Sequence, residues 1–195
     1  MFSTKQCSVE GCNSASFFKY NRCYRHLENA EESQIEVDEF LRNHNSIEDV
    51  NLSGSKYTNM DFHSKTFLRV RFSHAEFSSC NFSEAILRLC YFDYCRFTNC
   101  SLHHIDIQSS VFAGSHIENC DFFESDILHT NFNGIQCQDS SFNDSDLYFS
   151  FFINGTLTNT SFIDCNLKKV NFFQTLLEDV SFKYSNYEEA EFSEA

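Results

Sequence analysis

The sequence predicts an all-β solenoid, and two columns of residues predict it. From Leu52 to Phe192 every fifth residue is apolar, 29 positions without a register slip, and sixteen of the chain's 24 phenylalanines fall in this column. Cys137 is its least bulky member. A second column sits two residues earlier, at every multiple of five. It reads Ala75, Cys80, Ala85, Cys90, Cys95, Cys100, Ile105, Ser110, Ser115 and Cys120 and stays small or apolar to Ala195, with Lys65 its one charged member. A period of five is neither the 3.6 of a helix nor the 2 of a strand. It keeps one side buried only if each five-residue unit is one side of a coil and the coils stack, since a single unit cannot hide its apolar residues alone.

The clearest units are Ala75-Glu76-Phe77, Cys80-Asn81-Phe82, Cys120-Asp121-Phe122, Ser125-Asp126-Ile127, Thr130-Asn131-Phe132, Ser145-Asp146-Leu147 and Cys165-Asn166-Leu167. They resemble the pentapeptide-repeat family, whose pattern is roughly Ala-(Asp/Asn)-Leu/Phe-X-X. The resemblance covers residues 50–195. It implies a right-handed quadrilateral β-helix of about seven coils, four repeats to a coil, with both columns pointing inward. Gly54, Gly114 and Gly134 are separated by multiples of 20, which agrees with four repeats per coil and predicts one shared positive-φ corner. Asn154, next in that series, tolerates the same corner. Positions ending in 2 are nearly all Phe, whereas those ending in 7 drift to Leu, Ile or Cys after Phe97. This predicts Phe stacks on two opposite sides and aliphatic stacks on the other two. Seven coils at a strand spacing of ~4.8 Å make a rod roughly 34 Å long.

Before the repeats, Cys7, Cys12, Cys23 and His26 follow the spacing C-x4-C-x10-C-x2-H, with Gly11 placed for a tight turn. Four soft or borderline ligands within twenty residues suit a closed tetrahedral zinc site. The segment resembles short Cys3His zinc knuckles. With four protein ligands no position stays open, so the predicted Zn2+ is structural. The alternative is four ordinary reduced cysteine and histidine side chains on a tail. The domain reading is a knuckle over 1–27, a linker and capping helix over 28–49, and the β-helix over 50–195. Ser33-Gln34-Ile35-Glu36 reads as a capping box with Ser33 as the cap. Val37, Phe40 and Leu41 form one apolar stripe, and the helix ends near Asn43 to Asn45. It is expected to cover the first coil, because solenoid ends need covering.

Composition narrows the function classes. The chain has 195 residues, no Pro and no Trp. Proline would remove a ladder donor. No apolar run reaches the ~18 residues of a membrane span, and the N-terminus lacks a signal-peptide pattern. Ten cysteines in such a chain point to reduced thiols or a metal, and so to a cytoplasmic protein. Net charge is −14, distributed unevenly: −4 over residues 1–49, +2 over 50–99 and −12 over 100–195. An acidic half argues against direct nucleic-acid binding. It suits either a basic partner or plain solubility.

Outward positions carry whatever function the repeats have. With sides assigned by a period of 20, Asp61, Glu84, Asp121, Glu124, Asp144 and Asp164 form an acidic stripe on one side. Another side is almost uncharged and carries Phe151, Ile153 and Phe173, flanked by Tyr148 and Phe149. Contiguous apolar surface marks interfaces, so these five are candidates for partner binding or self-association. At the C-terminus no cap is visible, and Glu188, Glu189, Glu191 and Glu194 crowd the last coil. Members of the resembled family often dimerise through that end, so a homodimer is expected; the like charges oppose tight pairing, or else act as gatekeepers against filament growth. Cys80, Cys100 and Cys120 should stack as packing residues rather than converge on an ion. His103, His104 and His129 read as solvated surface residues, and no catalytic constellation stands out.

The expected function is a non-enzymatic interaction scaffold with a protein partner and no membrane. The alternative, drawn from the resemblance, is a DNA mimic that binds a type II topoisomerase (DNA gyrase or topoisomerase IV) and protects against quinolones or toxins. The rod and its acidic half favour the alternative. The slightly basic repeats over 50–99, and the absence of a loop inserted in the repeats, count against it.

Overall fold

The computed structural model describes residues 5–192; Glu194 and Ala195 lie outside them. Residues twenty apart pair in parallel throughout the repeats. One sheet has five strands, from Ser46–Glu48 to Asp126–Leu128. The opposite sheet has seven, from Lys56–Thr58 to Leu176–Glu178. The two sides between them are joined by single-residue bridges such as Asn51 to Arg71 and Asp61 to Asn81. Side one is centred on Leu52, Phe72 and Phe92, side two on Tyr57 and Phe77, side three on Phe62 and Phe82, and side four on Ile47, Phe67 and Leu87. This is the quadrilateral β-helix that the family resemblance implies, and its ladder already begins at Ser46, before Val50.

Every central residue from Ile47 to Phe172 is buried. On side one the rings of Phe72, Phe92, Phe112, Phe132, Phe152, Phe172 and Phe192 stack with centroids 4.8 to 5.1 Å apart. Side three stacks Phe62 on Phe82, breaks at Leu102, and resumes from Phe122 to Phe182. The last coil departs from the expected pattern: Leu177 and Phe182 are only half-buried, and Tyr187 and Phe192 are exposed. A column residue is buried by the coils on both sides of it, and no described coil follows these.

The small inward column is also a hydrogen-bond ladder. At most positions ending in 5 the backbone N–H closes a turn onto the central carbonyl three residues before, as Ala75 N–H does to Phe72 O at 2.8 Å, whereas the N–H groups of Ile105, Ser125 and Cys165 donate to the hydroxyls of Ser125, Ser145 and Ser185 in the next coil. Most positions ending in 0 make no such turn. At Cys90, Cys120 and Thr130 a hydroxyl of the next coil supplies the partner: Thr130 N–H donates to Ser150 Oγ at 3.1 Å, and that hydroxyl donates to Ile127 O at 2.8 Å. Cysteine substitutes as a weak donor, with Cys90 Sγ 3.3 Å from Phe67 O and Cys165 Sγ 2.9 Å from Phe142 O. Burial pushes both of these thiols up to about 11, so they stay protonated. Val170 and Ala190 offer no such partner. On the rungs beneath them Ser150 N–H and Val170 N–H bond their own Leu147 and Leu167 carbonyls at 3.0 Å, whereas Thr156–Thr158, beneath Val180, stays a strand. Buried backbone polar groups must be paired, and on these rungs the partner is either a side chain of the next coil or the carbonyl of the same turn.

The glycine corner is real but far too narrow a reading. All 28 residues lying two after a central residue, from Asp49 to Tyr184, have positive φ, and only Gly54, Gly114 and Gly134 among them are glycine. Asn, Asp, Ser and His fill most of the others, and Leu89, Tyr94 and Phe149 adopt the same conformation. Each non-glycine residue there costs ~1–2 kcal/mol. The inter-coil ladder imposes it regardless, as when Leu89 N–H donates to Gln108 O at 3.1 Å. Gly114 has a steric reason as well: a Cβ there would lie 2.6 Å from the Tyr94 ring.

The first coil is covered by the N-terminal segment. The helix α1 spans Ala30–Asn43 and buries Ser33, Val37 and Leu41 against the solenoid. Phe40 is half-buried against Phe18, ring centroids 5.0 Å apart. The expected cap is wrong: Asn29, not Ser33, caps α1, accepting from Glu32 N–H at 3.2 Å. Ser33 lies inside the first turn and donates to Asn29 O at 2.8 Å, because a buried hydroxyl needs a nearby acceptor. Buried Lys65 reaches His44 O at 2.9 Å, just past the end of α1. This bond accounts for a charge in an otherwise apolar column.

Candidate metal centre and outer faces

Three short turns bring the four N-terminal ligands together. Gly11, with φ of 76°, lets Cys12 N–H bond Val9 O at 3.1 Å. The 3-10 turn Tyr24–His26 places His26 N–H 2.9 Å from Cys23 O. Cys7 N–H bonds Ser14 O at 2.9 Å and closes the loop between them. As a result the ligand atoms of Cys7, Cys12, Cys23 and His26 all lie within 4.8 Å of one another. His26 Nδ1 is 3.4 Å from both Cys7 Sγ and Cys23 Sγ, and Cys12 Sγ is 3.8 Å from Cys23 Sγ. Metal–sulfur bonds of ~2.3 Å at the tetrahedral angle give sulfur–sulfur edges of about 3.8 Å, the Cys12–Cys23 distance, so the four could bind a metal. Burial raises the Cys7 thiol, but backbone hydrogen bonds from Cys23 and Val9 and contacts with His26 and Cys12 outweigh it and bring it down to about 6. Cys23 moves the other way, raised by burial and by the neighbouring sulfurs.

This segment is built onto the rod. Phe18 N–H donates to Asn51 O at 2.8 Å, adding a rung above side one. Asn51 Nδ2 donates to Ser16 O at 2.8 Å, and Phe17 is fully buried in the common core. The Tyr24 ring lies 3.1 Å from where a Cβ on Gly54 would sit. Lys19 pairs with Glu36 of α1 at 3.0 Å, and the Tyr20 hydroxyl bonds the same carboxylate.

The pentapeptide-repeat profile (eight copies) matches residues 47–83, 67–103 and 140–179. The chain belongs to the pentapeptide-repeat family. No curated protein sequence matches it at a significant level. Among solved structures of pentapeptide-repeat proteins it is similar to QnrB1, a plasmid-mediated fluoroquinolone resistance protein. That match is 17% identical over 73% of this chain and 83% of the other, with a TM-score of 0.52. A protein of the Arabidopsis thaliana thylakoid lumen matches at 13% identity over 73% and 74% of the two chains, TM-score 0.36. HetL, involved in heterocyst differentiation regulation in a cyanobacterial Nostoc strain, matches at 13% over 85% and 95%, TM-score 0.27. No helix among the described residues is long and apolar enough to cross a membrane.

In pentapeptide-repeat solenoids function has to lie on the outer sides, and the acidic residues sit on side three. Asp61 and Asp121 precede its central residues, while Glu84, Glu124, Asp144 and Asp164 occupy its corner column. Sequence reasoning missed their histidine partners. His103 Nε2 is 2.9 Å from Asp121, His104 Nδ1 3.4 Å from Glu124, and His63 Nε2 3.8 Å from Glu84. Residues of one period-20 series are neighbours across coils, and only the register reveals which histidine meets which carboxylate.

The aromatic candidates divide. Tyr148, Phe149 and Phe151 touch, with ring centroids 6.1 and 5.4 Å apart. Phe149 is 38% exposed and Phe173 47% exposed. Ile153 and Phe173 lie on the far edge of side one. Two further residues complete the cluster. His129 lies 5.7 and 5.2 Å from the Tyr148 and Phe149 rings, and Lys169 Nζ lies 5.5 and 5.8 Å from the same pair. Inside the rod, Cys80, Cys100 and Cys120 are buried and donate weakly or pack as expected; Cys80 Sγ, for instance, is 3.6 Å from Tyr57 O.

Proposed function

We propose that the chain is a non-enzymatic, cytoplasmic protein-interaction scaffold: a rigid rod whose outer faces bind a protein and whose N-terminal cap is held by a structural zinc ion. The aromatic cluster of exposed Phe149 with half-buried Tyr148 and Phe151 carries this reading, because rigid aromatic groups give contact area at little entropic cost. Zinc is favoured by the donor set, three thiols and one imidazole with no open position. It would clamp the two loops that set Phe17 and Phe18 against the first coil. Phe151→Ser combined with Phe173→Ser should abolish capture of a partner while leaving the fold unchanged. A monomer in sedimentation together with unaltered partner capture would remove the reading. One zinc per chain, lost in Cys23→Ser, is the expected metal content.

Glu124, Asp144 and Asp164 on three successive rungs favour a second reading, a DNA mimic that binds a type II topoisomerase. DNA carries one charge per ~1.7 Å of axis over its whole length. Here the rungs carrying Glu124 with Asp126 and Asp144 with Asp146 place two carboxylates per ~4.8 Å, about one per 2.4 Å, but only over two rungs. The density is comparable and the extent is short, so the scaffold ranks first. A gyrase supercoiling assay with and without a quinolone separates the two. Inhibition or protection that vanishes when Asp121, Glu124 and Asp144 are reversed to Lys would establish the mimic.

A further inference from the structure

Side four changes character across its width at the rungs of Ile127 and Leu147. One edge is acidic: Asp126 and Asp146 lie on successive rungs, and Glu124 and Asp144 sit on the corner beside them. The other edge is apolar and aromatic, with Leu128 and His129 on one rung and Tyr148 and Phe149 on the next. The two edges are two residues apart along each strand, roughly 7 Å. Rungs repeat every ~4.8 Å, close to the 5.4 Å pitch of an α-helix.

Both ends of this strip are closed. Toward the N-terminus, Asp106 is engaged by Arg88. Toward the C-terminus the next rung carries Lys168, paired with Glu189 at 3.4 Å, and Lys169, over the Tyr148 and Phe149 rings. Those two lysines and Lys183 are the only Lys or Arg residues after Asn99. They would repel a cation placed one rung further on.

We propose that side four at these two rungs seats a cationic amphipathic helix of a partner protein. The apolar stripe of the helix packs on Leu128, Tyr148 and Phe149, and its Lys or Arg residues pair with Asp126 and Asp146. A helix lying along the rod meets successive rungs with residues one turn apart. Charge complementarity selects a basic partner over an acidic one, and the aromatic edge selects an ordered stripe over an unpatterned basic tail. This inference rests on the scaffold reading and specifies its partner.

Fluorescence anisotropy tests it, with the full chain and a labelled Leu/Lys peptide of four helical turns against a scrambled peptide of the same composition. The amphipathic peptide should bind roughly tenfold more tightly than the scramble. Asp126→Asn with Asp146→Asn should weaken it by roughly tenfold, as should Tyr148→Ser with Phe149→Ser. Asn166 and Asn186 occupy the same column as Asp126 and Asp146, so the asparagine variant keeps the fold. Phe173→Ser, on another side, should bind as the parent does. Equal binding of the scramble, or indifference to the asparagine pair, overturns the seat in favour of unspecific attraction to an acidic rod. So does a dimer in sedimentation that dissolves in Tyr148→Ser with Phe149→Ser, because the occupant would then be a second copy. If the seat fails while Phe151→Ser with Phe173→Ser still abolishes partner capture, the scaffold reading stands; if both fail, it falls too.

Discussion

Replacing Ser150 by Ala should destabilise the rod far more than replacing Ser115 by Ala, although both serines are buried members of one column. The Ser150 hydroxyl accepts from Thr130 N–H at 3.1 Å and donates to Ile127 O at 2.8 Å, and neither group closes a turn. Ser150→Ala therefore strands two buried polar groups at about 1–3 kcal/mol each, partly offset because the buried hydroxyl is gone, leaving roughly 2–4 kcal/mol. The Ser115 hydroxyl makes the same kind of contacts, 2.9 Å from Cys95 N and 2.6 Å to Phe92 O. There, however, Cys95 N–H also bonds Phe92 O at 3.2 Å, so both groups keep a partner after Ser115→Ala. The expected loss is about 1 kcal/mol. Ser150→Cys should fall between, as the native cysteines of the column show the same contact. Urea unfolding followed by circular dichroism reads the totals, and hydrogen exchange at the Thr130 amide reads the local effect. Equal losses for the two alanine variants, or unchanged protection at Thr130, would refute the idea that this column is a ladder rather than filling.

Cys23→Ser, or chelation, should speed hydrogen exchange at the Phe18 amide while leaving the middle of the rod protected; a uniform response would show that the metal loops do not act as a local clamp. Leu89→Asn should raise stability by about 1 kcal/mol, since Leu89 is exposed with φ of 54° and asparagine enters that region more easily. No gain in the denaturation midpoint would contradict that. Cys90 and Cys165 are held protonated by burial, so their folded values lie above the unfolded ones. Their contribution is complete below the ordinary thiol range and is lost as pH rises from about 9 to about 11. Melting temperature should therefore drop across that window, and drop less in Cys90→Ser with Cys165→Ser, whose hydroxyls do not ionise there.

Much of this architecture is legible without coordinates, and for one reason. A solenoid repeats its environment at every step, so a periodic burial demand writes a periodic sequence. The pentad column from Leu52 onward, the Phe alternation and the four candidate metal ligands all follow from spacing alone. Spacing failed where the choice was made by neighbours in space. Ser33 against Asn29 as the cap of α1 depended on the Ser33 hydroxyl being buried inside the first turn while the Asn29 amide oxygen faced the free N–H of Glu32. The corners were read from three glycines because propensity argues against Leu89 or Phe149 at positive φ, yet the ladder imposes that conformation on all 28.

By itself the sequence determined the stacked coil, its inward columns and the Cys7, Cys12, Cys23 and His26 set, since each is a matter of interval along the chain. Only the tertiary structure decided which outward residues meet: His103 with Asp121, Lys169 with Tyr148, the Asp126–Asp146 edge beside the aromatic one. Those contacts join residues about twenty apart across coils or around a corner, and a one-dimensional period names a side but not the side chains that touch on it.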